Sequence, residues 1–553
     1  MKQMLQICCK NNKSSEKFEL GSTILQVYEK LKPEMKHRPL CALVNNRIEG
    51  LRFRLFGSKQ IEFLDITSAA GRKIYARSLS FVLWKAVEDL YPGTTLMLEA
   101  PVSNGYYFTL NLGRPVSLED AAALRKRMKD IIDEGHEFHR IESPTEEAAA
   151  LFRERGMTNK ARLFEGLGRL YTFYYKLCDT VDYYYGPLVP STDYLDLFDL
   201  VKYYDGLLLR IPRFEDSNKL GELIKQEKML NVFREDHQLE RLLGVGTVGE
   251  LNAATTQGAS GDIIKIAEAL QEKKICHISD RIASLSNVKV ILIAGPSSSG
   301  KTTFSKRLSI QLMTSGLKPY PISLDDYFVN REDNPRDENG DYDYESIYAL
   351  NLKLFNEHLQ MLLAGEEIEL PKYDFAAGKS TMSGKRLKLS PNTILILEGI
   401  HALNPILTKD VPDDKKFKIY VSALTTIKLD NHNYIPTTDN RLIRRIVRDF
   451  KYRGASASDT IARWPSVRRG EDKWIFPFQE NADVMFNSAL LYELAVLRNQ
   501  AIPVLESVNE NQPEYATANS LIQFLKYFKT IPDRELPPTS ILREFLGGSS
   551  FKY

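Results

Sequence analysis

The stretch ILIAGPSSSGKTTFSKRL, Ile291 to Leu308, decides the reading of this chain. An apolar run meets Gly295, Pro296, Ser297, Ser298, Ser299 and Gly300, and then Lys301, Thr302 and Thr303 open a helical pattern. Gly295, Gly300, Lys301 and Thr302 fit G-x-x-x-x-G-K-[ST]. Glycine and serine let the backbone curl until successive N–H groups turn inward, and the helix that follows adds its positive end. Lys301 can then reach the outer phosphates of a nucleoside triphosphate, and the Thr302 hydroxyl can hold Mg²⁺. A merely flexible serine-rich turn would not need Lys and Thr at the helix start.

The surrounding chain sets the scale. With 553 residues it is too long for one ordinary core, so several domains are expected. Hydrophobic content of 43% and charged content of 26% fit a globular protein that works in water. A net charge of +2 does not by itself point to nucleic acid. The five cysteines, Cys8, Cys9, Cys41, Cys178 and Cys276, form no CxxC pair, which predicts a reducing cytoplasm. The first residues lack an apolar stretch followed by a cleavage site, so no signal peptide is expected, and no window predicts a membrane span.

Ahead of the glycine loop, residues 1–68 alternate short strand-like runs with polar turns and read as a small mixed α/β module. Residues 75–240 carry two long helical patterns and a tyrosine-rich set of strands. Residues 241–285 read as a helical connector, 286–530 as the module that holds the glycine loop, and 531–553 as a tail. In the C-terminal module, apolar runs such as VKVILIAG and NTILILEGI alternate with helical patterns, which predicts a parallel sheet covered on both faces.

Three further features face the same chemistry. SLDDYF places Asp325 and Asp326 at the end of a predicted strand, the edge that meets ligand in open α/β sheets. A carboxylate there can take a proton from an acceptor hydroxyl. ILILEGIH places Glu398 at the end of another strand, near the expected Mg²⁺. Arg441, Arg444, Arg445 and Arg448 recur on one helix face. A charge run is usually a solvated face, but beside a phosphate loop it supplies cations for a moving phosphoryl group. No Asn-Lys-x-Asp motif for guanine is present.

Taken together, GPSSSGKTTFSKRL, SLDDYF, DYDYESIYALNL, LPKYDF, LILEGIHAL, RLIRRIVRD and FQENADVMFNS, in this order, resemble the uridine kinase and phosphoribulokinase family of P-loop kinases. The resemblance implies an α/β kinase fold, ATP and Mg²⁺ as cofactors, and a small-molecule nucleoside substrate. It assigns Asp325 as catalytic base, Lys301, Arg444, Arg445 and Arg448 as charge stabilisers, and Thr302 and Glu398 to the metal. Tyr327 and Phe328 are implied to line the acceptor pocket, Asp343 to hold the ribose and Tyr373 to flank the base. The histidine that reads pyrimidines in uridine kinases is replaced near Gly378, in YDFAAGKS.

The front half resembles a different family. Residues 1–68 are similar to the β-grasp TGS domain of threonyl-tRNA synthetases, and residues 75–240 to the α+β second additional (editing) domain of those enzymes. VDYYYGPLVPST carries the resemblance, with Tyr184 and Leu188 where the editing enzymes have Cys and His. Arg77 and Phe81 stand at the two positions of the His-x-x-x-His pair, so editing chemistry is not expected. His136 and His139 form an i, i+3 pair without a third ligand nearby.

The leading expectation is therefore a cytoplasmic kinase of the uridine 5′-hydroxyl or of a related ribonucleoside, with no membrane partner. One alternative is a kinase of another metabolite. Another is an RNA- or ribosome-associated regulator that uses the kinase fold as a nucleotide sensor, RNA binding through the TGS-like region being its partner. A homo-oligomer is left open as a partner, since the sequence does not give the oligomeric state.

Overall fold

Residues 3–213, 216–338, 340–375 and 377–552 are described by a computed structural model. The chain divides into two compact units. The first comprises Met1–Gly258, Thr426–Pro436 and Leu505–Lys529, and the second Ala259–Thr425, Thr437–Val504 and Thr530–Tyr553.

The first unit begins with strands β1 (Met4–Cys9) and β2 (Ser14–Glu19), helix α1 (Ile24–Leu31), and strands β3 (Cys41–Val44), β4 (Arg47–Gly50) and β5 (Lys59–Leu64). Alternation in β1 turns Leu5, Ile7 and Cys9 into the core. The sheet runs β2-β1-β5-β3-β4, with β1 and β5 parallel. Thr23 caps α1 in a reciprocal box with Gln26.

Helix α2 (Ala69–Leu90) follows, then β6 (Leu96–Val102), β7 (Gly105–Leu110) and α3 (Leu118–Asp133). The expected cap of α3 is present, Ser117 and Asp120 bonding each other's backbone N–H. Strand β8 (His139–Pro144), helices α4 (Thr145–Glu154) and α5 (Thr158–Gly166), and strands β9 (Tyr171–Leu177), β10 (Thr180–Asp182), β11 (Asp199–Tyr203) and β12 (Gly206–Arg210) complete two antiparallel sheets, β10-β9-β8 and β11-β12-β7-β6. Helices α6 (Glu227–Leu243) and α7 (Val248–Thr256) close the unit.

A linear reading of 286–530 as one module misses the excursion Thr426–Pro436. Buried polar groups hold it in the first unit. Lys160, 1% exposed, places Nζ 2.7 Å from Asp430 and 2.8 Å from Asp182. His432 Nδ1 lies 2.7 Å from the other Asp182 oxygen, and Asn433 donates to the Tyr183 carbonyl at 2.8 Å. Lys428 and Gly246–Val248 exchange backbone hydrogen bonds of 3.0 and 2.9 Å. The segment Leu505–Lys529 joins the same unit, where Asn252 donates to the Tyr527 carbonyl at 2.7 Å.

In the second unit, α8 (Ser260–Ala283) precedes β13 (Val290–Ala294), α9 (Lys301–Thr314), β14 (Lys318–Ser323) and α10 (Leu352–Leu363). The hairpin β15 (Ile368–Asp374) and β16 (Lys379–Leu387) is followed by β17 (Thr393–Glu398), β18 (Lys416–Ser422), α11 (Thr437–Arg453), α12 (Ala457–Trp474), β19 (Val484–Asn487) and α13 (Glu493–Glu506), whose last two residues fall in the first unit. The main sheet is parallel throughout, in the order β14-β17-β13-β18-β19. All five residues of β13 are buried, as a strand covered on both faces requires. Helix α8, read from sequence as part of a connector, instead packs on α9, where Arg307 meets Glu272 at 2.6 Å. Among the described residues, no helix is long and apolar enough to cross a membrane.

Replacing Lys160 by methionine strands two buried aspartates. The substitution should lower unfolding free energy by about 3–5 kcal/mol, read by urea denaturation of the full chain. A loss below about 1 kcal/mol would mean that the cluster does not hold the excursion in place.

Candidate active site

The glycine loop joins β13 to α9 at the centre of the parallel sheet. A Cβ on Gly295 would stand 1.9 Å from the Val421 carbonyl oxygen, so no larger residue lets the loop leave the strand here. Ser298 and Gly300 adopt positive φ of 59° and 81°, which bend the backbone into a cradle. Lys301 folds back over it and donates to the Pro296 carbonyl at 3.1 Å. The Ser298 and Ser299 hydroxyls are buried without hydrogen-bond partners. Arginines of α11 brace the loop from outside. Arg441 Nε donates to the Ser297 carbonyl at 2.9 Å, and Arg445 Nη1 donates to the Ser297 hydroxyl at 2.9 Å.

Register carries the acids to the cradle. Glu398 pairs laterally with Ile293 on one side and Ser323 on the other, so the ends of β13, β14 and β17 lie level. The Thr302 hydroxyl donates to Glu398 at 2.8 Å. Burial pushes Glu398 up to about 7, against the pull of Lys301 and of that hydrogen bond. Asp325 sits in the turn after β14, which Ser323 caps by accepting from the Asp325 N–H at 3.3 Å. Its side chain opens to solvent, yet the surrounding cleft raises it above the usual aspartate range while Lys301, Arg453 and Arg448 draw it back. Burial lowers Lys301, and Glu398, Asp325 and Glu544 oppose that shift. Lys301 and Asp325 therefore share one electrostatic neighbourhood.

Two acids in that neighbourhood were not legible as site residues. Glu345 leaves Oε2 buried without a partner, and burial, then Glu471, pushes it up to about 7. Its side-chain stem packs so closely that a Cβ on Gly470 would meet the Glu345 Cβ at 2.1 Å. The YDYES run directed attention to Asp343, but the Asp343 carboxylate accepts the Glu345 N–H at 3.2 Å and shapes the turn. Glu544 accepts from the Thr303 hydroxyl at 2.7 Å, and no motif in the tail announces it.

The remaining expected residues divide. Phe328 meets Tyr373 and Phe375 at centroid distances of 5.5 and 6.3 Å, forming an aromatic wall. Tyr327 turns inward instead of lining that wall: it is 2% exposed, packs on Phe355 and places its hydroxyl 3.1 Å from His358 Nδ1. Arg444 is fully buried, ion-paired with Glu493 at 2.5 Å and donating to the Ser488 carbonyl at 3.0 Å. It is a brace of the fold rather than a cation of a lid. Arg448 pairs with Asp449 at 2.9 Å and lies close enough to Asp325 to influence it.

In the first unit, Phe81 and Tyr184 stack at 5.6 Å and Arg77 donates to the Pro187 carbonyl at 3.0 Å, so packing occupies these positions. His136 and His139 lie 2.5 and 3.9 Å from Glu134 and Glu137. Among the described residues, no group of three His, Cys, Asp or Glu could hold a metal.

A phosphate cradle at the strand ends of a parallel sheet, with a lysine and carboxyls around it, defines a P-loop phosphotransferase. Residues 290–492 match the Phosphoribulokinase / Uridine kinase family. The chain is 32% identical over 197 residues to a uridine kinase of Staphylococcus aureus (strain JH9), covering 35% of this chain and 86% of that one. It is 29% identical over 195 residues to a uridine kinase of Halobacterium salinarum, covering 35% of this chain and 77% of the other. The chain belongs to the phosphoribulokinase / uridine kinase family.

A separate similarity, 30% over 199 residues, links it to a threonine–tRNA ligase of Acetivibrio thermocellus; the match covers 36% of this chain but only 31% of that ligase's length. Among solved structures, a possible uridine kinase from Bacillus stearothermophilus is similar at 20% identity and a TM-score of 0.28, covering 39% of this chain and 98% of its own.

Arg444 and Arg448 should separate by substitution. Arg444→Met leaves Glu493 buried and uncompensated and should cost about 3–5 kcal/mol of stability. Arg448→Ala leaves Asp449 paired with Arg445 and Arg453. It should cost about 1 kcal/mol or less while lowering turnover. Thermal unfolding and steady-state kinetics on both variants check this.

Proposed function

We propose that this protein transfers the γ-phosphoryl group of ATP to the 5′-hydroxyl of a ribonucleoside, uridine or a close relative. The shared neighbourhood of Lys301 and Asp325, one on the cradle after β13 and one after β14, with β17 and Glu398 between them, carries the reading. Hard oxygen donors at Thr302 and Glu398 suit Mg²⁺, and the two unpartnered serine hydroxyls of the cradle suit phosphate oxygens. Bound Mg²⁺ and ATP supply the phosphoryl group and screen its charge.

In this reading Lys301 holds the outer phosphates, and Arg445 and Arg448 balance charge at the cleft. Asp325 accepts the hydroxyl proton, and a carboxylate raised above its usual range is a better base near neutrality. Catalysis is mostly positioning and charge stabilisation. The wall of Phe328, Tyr373 and Phe375 flanks the base. Asp343 and Glu345 hold the ribose from one turn.

Arg331 stands where a pyrimidine-reading histidine is missing. A Cβ on Gly378 would meet Arg331 Nε at 2.7 Å, and Arg331 Nη2 donates to the Phe375 carbonyl at 2.8 Å. A guanidinium only donates, so we assign it to the carbonyl edge of the base.

The similarity to threonine–tRNA ligases and the mixed sheet with its single capped helix support a TGS-like module and a disused editing-like domain at the front. The five free cysteines support a cytoplasmic setting.

Asp325→Asn should retain ATP binding and lose roughly 10²-fold or more in kcat, measured by ADP release with a panel of nucleosides and sugar phosphates. Full turnover in that variant would remove Asp325 as the base. Arg331→Ala should raise KM for the preferred nucleoside by about tenfold and leave KM for ATP unchanged. Turnover with sugar phosphates but not with nucleosides would replace the substrate class.

A further inference from the structure

The first unit contains a cavity of about 640 Å³ that the phosphotransfer site does not use. Strands β6 and β7 and the turn between β11 and β12 form its floor, and α6, the start of α7 and the excursion Thr426–Pro436 wall it. Leu98 N–H donates to the Asn431 carbonyl at 2.8 Å, tying the excursion to the sheet beside the cavity.

Most of its charged groups are paired; Arg241, exposed at the rim, donates only to the His237 carbonyl at 3.3 Å. Glu99 accepts from Lys428 Nζ at 2.6 Å and from the Thr109 hydroxyl at 2.6 Å, and lies 3.1 Å from His237 Nδ1. Arg234 pairs with Asp205, which also accepts from the Tyr107 hydroxyl at 2.5 Å. Glu250 caps the turn at Gly246 and Thr247 at 2.9 and 3.0 Å. Glu240 is 6% exposed, has no counter-charge in contact, and leaves Oε1 without a hydrogen-bond partner.

His237 lines the same cavity from one turn earlier on α6. Its Nδ1 is engaged with Glu99, which leaves Nε2 a bare acceptor, buried without a partner and 3.9 Å from Glu240 Oε2. Two close acceptors thus face one cavity. Beside them the walls are apolar, including Leu230 and Phe233.

We propose that this cavity binds a small molecule through a cationic amine, whose N–H groups donate to Glu240 Oε1 and His237 Nε2 while its carbon skeleton lies along Leu230 and Phe233. An unpaired buried carboxyl is costly, and an ammonium turns it into an ion pair that neither a neutral nor an anionic ligand provides.

The groups around Glu240 are Thr426 and Lys428 of the excursion, Glu99 of β6, Asp236, His237 and Arg241 of its own helix, and Glu250 of α7. Burial pushes Glu240 up to about 8 and, together with Lys428, holds His237 down at about 4. Burial thus favours a protonated Glu240 and a neutral His237 in the empty site. Binding an ammonium ionises Glu240: its O–H proton leaves to the buffer, and the carboxylate accepts from the amine.

The test is calorimetric titration of the full chain with 1,4-diaminobutane and with 1,4-butanediol, at pH 7 in buffers of different ionisation enthalpy. The diamine should saturate and release about one proton per site, and the diol should not bind. Glu240→Gln should weaken the diamine by about tenfold or more and abolish the proton release. Lack of saturable diamine binding, equal binding of the diol, or diamine binding without proton release would each overturn the proposal. The proton count is read on the unaltered protein and so does not depend on the variant folding.

Discussion

One lysine sunk among carboxyls is the constraint on which the second unit is organised. Lys301 sits at the first turn of α9, over a loop that can leave β13 only because Gly295 lacks a side chain. Asp325, Glu398 and Glu544 all reach it electrostatically. Desolvation works against the pair nearest the cradle: it raises Glu398 and lowers Lys301. The cluster thus holds incompletely compensated charge, and a polyphosphate with its cation is a natural complement. That arrangement requires a rigid frame, since separated charges of opposite sign would otherwise collapse on one another. The frame is the parallel sheet, whose register levels three strand ends, and the buried pairs Arg441–Glu471 and Arg444–Glu493, which lock α11 behind the loop.

Those pairs also show where sequence reasoning stops. The glycine loop, Asp325 and Glu398 were legible because each signal is local: a motif or an acid at the end of an apolar strand. The arginine face of α11 was legible as a face, but its direction was not. Arg441 and Arg444 turn to acids 30 and 49 residues further on, and no spacing within the helix reveals that. Arg445 and Arg448, on the same stripe, are left nearer the cleft. Tyr327 and Phe328 are adjacent, so a turn that sends one ring to the wall sends the other to the core. In YDYES the same ambiguity hid Glu345 behind Asp343. The excursion Thr426–Pro436 was illegible for a further reason: its contacts with Lys160 and Asp182 span about 250 residues or more, and its polar composition reads as a loop.

Three buried charge clusters in this chain can be compared by a single criterion, whether the partners are complete. Around Lys160 they are: two aspartates share one ammonium, a histidine and an asparagine take the remaining oxygens, and Asp182 lies below the usual carboxylate range even though burial alone would raise it. Such a cluster has no capacity left for a ligand, and its role is to hold the excursion in the first unit. Around Lys301 the acids are raised and a Glu345 oxygen lacks a partner. Around Glu240 the same signature recurs on a smaller scale, beside a paired and lowered Glu99. Incomplete pairing distinguishes the latter two, and an orphaned buried polar group is costly in a folded protein.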